Sequence, residues 1–149
     1  MQLALRLAEA SVADGGGPFG AVVVRGGEVL ATGANRVVID RDPTAHAEIV
    51  ALRAAARRLG THVLAGAEVY ASCEPCPMCL AALLWARVDR VWFSASRHAA
   101  AAAGFDDAAV YEEVARPLAT RRLPIAPLLP ERGGAPFAAW RAFAGRTPY

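Results

Sequence analysis

Along Met1–Val12 the apolar residues Leu3, Leu7 and Ala8 recur at helical spacing, with Arg6 and Glu9 between them, which predicts an amphipathic helix. Gly15-Gly16-Gly17-Pro18 ends it. Phe19–Arg25 and Glu28–Asn35 read as strands, joined at Gly26-Gly27 as a hairpin. Asp42-Pro43-Thr44 stops the chain and offers Thr44 as N-cap of a helix over Ala45–Leu59, ended by Gly60. Ala67–Ser72 predicts a strand, and Pro75 is placed to open a helix over Cys76–Ala86. Val88–Ser94 predicts another strand, Phe105–Val114 a helix, Ile125–Leu129 a short strand and Pro136–Ala144 a final helix. This order predicts an α/β chain, a three-layer α/β/α sandwich with a central mixed sheet of about five strands, formed as a single domain over 1–149.

Composition narrows the class. At 149 residues with 55% hydrophobic and 20% charged, the chain can bury a core of its own. A net charge of +2 does not by itself point to nucleic acid. All sixteen basic residues are Arg, a bias of coding and not of function. No apolar run approaches the roughly 20 residues that cross a bilayer. The start, Met1-Gln2-Leu3-Ala4-Leu5-Arg6, lacks the features of a signal peptide, so a cytoplasmic protein without a membrane partner is expected. Cys73, Cys76 and Cys79 crowd within seven residues, too close for a disulfide framework, and read as metal ligands.

The chemistry concentrates in His46-Ala47-Glu48 and, thirty residues after His46, in Pro75-Cys76-Pro77-Met78-Cys79. One imidazole and two thiolates suit Zn²⁺, and three protein ligands leave a fourth position for water. Cys76 and Cys79, at i and i+3, share a helix face. His46 and Glu48 would splay apart in mid-helix, but at a first turn both can reach a metal off the helix end. Two helix N-termini facing one zinc also favour thiolate. A closed site of His46 with Cys73, Cys76 and Cys79 is the structural alternative, although it leaves Glu48 without a task. Otherwise Cys73 is a buried, unreactive thiol. Gly15-Gly16-Gly17-Pro18-Phe19-Gly20 satisfies G-x-G-x-x-G, but the order helix, loop, strand is wrong for a dinucleotide fingerprint, and the glycines read as a tight turn beside a pocket. His62, His98 and the pairs Arg57-Arg58 and Arg121-Arg122 read as solvated.

The H-x-E … P-C-x-x-C spacing is that of zinc-dependent nucleobase deaminases. With Gly16-Gly17-Pro18-Phe19-Gly20, Asn35, Asp42-Pro43-Thr44-Ala45-His46-Ala47-Glu48, Trp85-Ala86-Arg87, Phe105-Asp106-Asp107 and the terminal tyrosine, the chain resembles the cytidine-deaminase superfamily, and within it the bacterial guanine deaminases. The resemblance implies a cytidine deaminase-like fold and hydrolysis of guanine to xanthine and ammonia by a zinc-activated water. It implies zinc ligation by His46, Cys76 and Cys79, with Glu48 moving protons and Asp107 acting in recognition and proton transfer. Asn35 and the backbone N–H of Ala47 would bind the base, Phe19 and Trp85 would line its pocket, and Tyr149 would close it. A homodimer that exchanges its C-terminal segment is also implied. A tRNA adenosine deaminase shares much of this motif but needs a basic surface, which Pro136–Tyr149, with only Arg141 and Arg146, does not supply. A deaminase of guanine-like triazines is a second alternative, and a zinc-stabilised binding module a third.

Overall fold

The computed structural model describes residues 1–148. Two compact units are distinguishable: Met1–Tyr111, and a smaller one that starts at Glu112. The chain order is α1 (Gln2–Ala13), β1 (Gly20–Arg25), β2 (Glu28–Ala34), α2 (Val37–Asp40), α3 (Ala47–Leu59), β3 (Ala67–Cys73), α4 (Pro77–Trp85), β4 (Arg90–Ala95), α5 (Arg97–Ala102), α6 (Ala108–Ala115) and α7 (Ala135–Ala142).

The four strands found among the described residues form one sheet in the order β2-β1-β3-β4. β1 runs antiparallel to both β2 and β3, and β3 runs parallel to β4, so the sheet is mixed as expected. Gly26 and Gly27 both take positive φ, 59° and 83°, which lets the β1–β2 hairpin turn tightly. The register slips between Val23 and Val24, leaving Leu30 as the extra residue of a bulge. Arg58, exposed as expected, donates to that residue's carbonyl at 2.7 Å.

Two glycines decide where the helices lie. Paired residues share a face of the sheet, so Gly20 and Ala34 point one way, Ala21 and Gly33 the other. A Cβ on Gly20 would collide with backbone of Ala4 and Ala8 in α1. A Cβ on Gly33 would collide with backbone of Ala47 and Ala51 in α3. Helices therefore cover opposite faces, the expected α/β/α layering. Against Gly33 the α3 helix presents Ala47, Ala51 and Ala55, small residues at i, i+4, i+8 that let helix and strand approach closely. The main core continues on that face through Val23, Leu52, Leu64, Val69 and Leu83.

Several expectations are corrected. The sheet has four strands instead of about five, because Ile125–Leu129 forms no strand. Pro127 interrupts it, Pro124 precedes it and Pro130 follows it, and proline has no N–H to give a ladder. Thr44 does not cap α3; its N–H and hydroxyl both donate to Asp42 Oδ1, closing a local turn, and His46 is the N-cap. The helix after β3 opens at Pro77, with Cys76 as N-cap, so Pro75 stays in the loop. The stretch 105–107 precedes α6 instead of starting it. The short helix α5 was not anticipated; Ser96 caps it by accepting from Ala99 N–H. In the second unit, Glu113 Oε1 accepts from Leu123 N–H at 3.1 Å and Arg121 Nε donates to the Arg116 carbonyl at 3.2 Å. Among the described residues no helix is long and apolar enough to cross a membrane.

Candidate active site

The first turns of α3 and α4 meet at one point. His46 and Cys76 hold equivalent positions, each an N-cap in extended conformation. His46 Nδ1 lies 3.5 Å from Cys76 Sγ and 3.6 Å from Cys79 Sγ, and the three atoms lie within 4.8 Å of one another. Those are the edges of a metal tetrahedron. A Zn–S bond of about 2.3 Å and a Zn–N bond of about 2.0–2.1 Å at a tetrahedral angle place nitrogen about 3.5 Å from sulfur. The residues present therefore fit zinc. Cys73 is not part of the cluster; it is buried, and its thiol donates to the Ser96 carbonyl at 3.7 Å. Three donors converge among the described residues, so the closed four-ligand alternative is set aside.

The electrostatics point the same way. The Cys79 thiol donates to Cys76 and, with help from His46, brings the Cys76 thiol down to about 4. That same bond, together with burial, pushes the Cys79 thiol up. Two adjacent sulfurs share a proton unless a cation allows both to ionise, which a divalent metal does. Glu48, in the first turn of α3, is 7% exposed, and burial pushes its carboxyl up. Asp107 is raised as well, by burial first and then by the charge on Cys76.

These groups line a cavity of about 370 Å³ within the first unit. Its lining includes Phe19, Asn35, His46, Glu48, Cys76 and Asp107, six of the ten residues expected at a site. Cys79 lies buried behind Cys76, within the metal cluster. Ala47 is buried at the first position of α3, where a backbone N–H has no partner within its own helix. Asn35 is buried and committed on one side: its Oδ1 accepts from Gly17 N–H at 3.4 Å and Val37 N–H at 3.3 Å. Its Nδ2 is left to donate into the cavity. Ser11 Oγ donates to the Asn35 carbonyl at 3.1 Å and holds this residue from α1.

Trp85 departs from expectation. It ends α4, is 61% exposed, and borders a separate shallow groove with Ala81, Leu84 and Arg87 instead of the cavity. Six residues beyond Cys79, it is turned about 240° around the helix, away from the metal ligands. Tyr149 lies outside the described residues.

Sequence reasoning missed Phe105, Glu74 and Arg97 as cavity residues. Phe105 meets Phe19 edge to face at 5.0 Å, forming an apolar wall. Its place beside Asp106-Asp107 was the available signal. Arg97 had none, since it belongs to the short helix that was not anticipated.

The comparisons with known proteins agree with this geometry. Residues 1–95 match the cytidine and deoxycytidylate deaminase zinc-binding region. A guanine deaminase of Bacillus subtilis is 46% identical over 134 residues, 90% of this chain and 86% of its own. A crystal structure of a guanine deaminase from Bacillus subtilis superposes with a TM-score of 0.96 at 45% identity, covering 99% of this chain and 95% of that one. A tRNA-specific adenosine deaminase of Aquifex aeolicus is 44% identical over 95 residues, 64% of this chain and 63% of its own. With its fold, its three-donor cluster and these matches in accord, the chain belongs to the zinc-binding cytidine and deoxycytidylate deaminase family.

Proposed function

We propose that this enzyme hydrolyses guanine to xanthine and ammonia. The observation that carries the reading is the extent of its likeness: the guanine deaminase relative matches 90% of the chain, the tRNA deaminase relative 64%.

His46 Nδ1, Cys76 Sγ and Cys79 Sγ would hold zinc, which supplies Lewis acidity and activates water near neutral pH. Glu48 accepts the water's first proton on a carboxylate oxygen and passes it to the ring nitrogen; it then takes the remaining proton from the hydroxyl added at the ring carbon and gives it to the amine as the C–N bond breaks and the C=O forms. Burial suits it to this task, because a carboxyl that holds its proton can also return it. Asn35 Nδ2 donates to an acceptor on the base, and Asp107 accepts from a ring N–H or carries a proton. The backbone N–H groups of Ala47 and Cys76, at two helix starts, donate to charge that develops on the substrate. Phe19 gives the planar ring an apolar wall and helps exclude water.

The whole chain acts as one deaminase domain in a cytoplasmic homodimer, with the C-terminal segment exchanged and Tyr149 closing the site. Support for a partner copy comes from Leu80, Leu84 and Trp85 on α4 and Phe93 on β4, all apolar and exposed in the single chain. Trp85 belongs to that interface in this reading.

The decisive experiment is ammonia release by the zinc-loaded protein given guanine, adenine, cytosine, guanosine and a tRNA anticodon stem in parallel. Turnover confined to guanine is expected. Turnover on the RNA alone would overturn the substrate while leaving the metal site. A chain lacking Tyr149 should stay folded and lose most of its turnover; full activity would remove the closing role, and a monomer by light scattering would remove the exchange.

A further inference from the structure

Two segments remote in sequence are tied together beside the metal ligands. Tyr111, in α6, donates its hydroxyl to the Pro75 carbonyl at 3.0 Å. The guanidinium carbon of Arg97, the first residue of α5, sits 4.7 Å from the centre of the Tyr111 ring. Arg97 N–H in turn donates to Glu74 Oε2 at 3.0 Å, and Glu74 N–H donates to the Ala95 carbonyl at 2.8 Å. Glu74 and Pro75 are thus held from both sides, immediately before the ligand Cys76.

We propose that Tyr111 is a positioning residue that clamps the Pro75–Cys76 peptide and the start of α6 into one unit, with Arg97 holding its ring. Two consequences follow from the covalent geometry. The peptide is trans, so the carbonyl that accepts from Tyr111 and the Cys76 N–H point in opposite directions across one conjugated unit. A donor on the carbonyl draws electron density from the nitrogen and makes that N–H a stronger donor. The second consequence is placement. The Asp107 carbonyl accepts from Tyr111 N–H at 3.2 Å and Val110 N–H at 2.9 Å, so Asp107, the residue just before α6, is tied to Tyr111 across the first turn of that helix. Anchoring Tyr111 anchors Asp107 over the cavity. The effect on turnover rests on the guanine reading; the effect on the metal site does not.

Tyr111→Phe keeps the ring over Arg97 and removes only the hydroxyl. Tyr70→Phe is its control, since Tyr70 donates to Glu68 at 3.0 Å and lines no part of the cavity. Zinc release to a chelator and the visible absorption of the Co²⁺-substituted protein are compared among the parent and both variants. The expected result is zinc release at least about fivefold faster and displaced Co²⁺ bands in Tyr111→Phe alone, with a melting temperature near the parent's. Turnover should fall about tenfold in kcat with KM within about twofold, the scale of one lost hydrogen bond. Parental zinc release and parental Co²⁺ bands in Tyr111→Phe would overturn the proposal. If the parent does not act on guanine, the substrate reading falls and the two metal readouts still decide the clamp.

Discussion

His46 Nδ1 and Cys76 Sγ lie 3.5 Å apart although thirty residues separate them in the chain. Each residue caps a helix, so the two helix starts, with their unpaired N–H groups and positive ends, face the same small volume. The cluster therefore depends on how α3 and α4 sit on the sheet.

Removing zinc should cost stability as well as activity. An ion that binds the folded chain at about 1,000 times its Kd contributes about 4 kcal/mol, or about 8–16 °C in melting temperature for a chain of this size. Calorimetry before and after chelation checks this, and zinc added back should restore the transition. An unchanged transition in protein shown to have lost its metal would contradict the structural share assigned to the cluster.

Glu48→Gln should separate binding from chemistry. The amide keeps the shape of the side chain, but it cannot accept the water's proton. Turnover should fall by about 10²–10⁴, the usual scale for a lost general base. Zinc content should stay at the parent's level, because the three ligand atoms belong to other residues. Full turnover in the variant would remove Glu48 from the mechanism.

The zinc motif was legible because its meaning lies in residue type and spacing, and both survive in a bare sequence. Its support was less so. That His46 caps α3 in place of Thr44, and that α4 opens at Pro77 after Cys76 with Pro75 left in the loop, depends on a turn that Asp42 closes with Thr44 and on where α4 begins. Single apolar periods do not encode such choices. Arg97 and Tyr111 carry no motif at all, and their importance arises only once α5 and α6 pass the metal loop. Four strands in place of five reflects Pro124, Pro127 and Pro130, which outweigh the apolar run of Ile125, Leu128 and Leu129.

Gly33→Ala should damage the site from the far side of α3. Its added Cβ would meet the Ala47 carbonyl and the Ala51 nitrogen, both backbone, which cannot move aside as a side-chain tip can. The helix must shift, carrying His46 and Glu48 with it. A loss of about 1–3 kcal/mol is expected, the range for overpacking, with weaker zinc retention. Denaturant unfolding and metal content measure the two effects. A variant of parental stability would show that α3 is not seated on Gly33.

Asn35→Asp should test which end of the amide reads the base. The carboxylate can still accept from Gly17 and Val37 N–H, so the loop keeps its bonds. Only the donor that Nδ2 supplies is lost, and an acceptor now faces the ligand's acceptor. We expect kcat/KM for guanine to fall at least about 100-fold, since a site built around a hydrogen bond discriminates strongly when it is missing. An unchanged kcat/KM would mean that the base is recognised elsewhere.

Glu68 offers a pH test that does not involve the metal. Its Oε2 accepts from Trp92 Nε1 at 2.9 Å and from Tyr70 Oη at 3.0 Å, and these bonds hold its carboxyl below the ordinary value of 4.5, the Trp92 bond contributing most. A lowered carboxyl means that the unfolded chain takes up the proton first as pH falls. The associated stability is present in full above 4.5 and is lost as pH drops through the lower, folded value. Melting temperature measured from about pH 6 to about pH 3 should fall less steeply in Glu68→Gln than in the parent. Above that window the variant should be the less stable of the two, because an amide accepts from Trp92 and Tyr70 more weakly than a carboxylate does. Curves of equal slope would mean that the two bonds do not favour the ionised form.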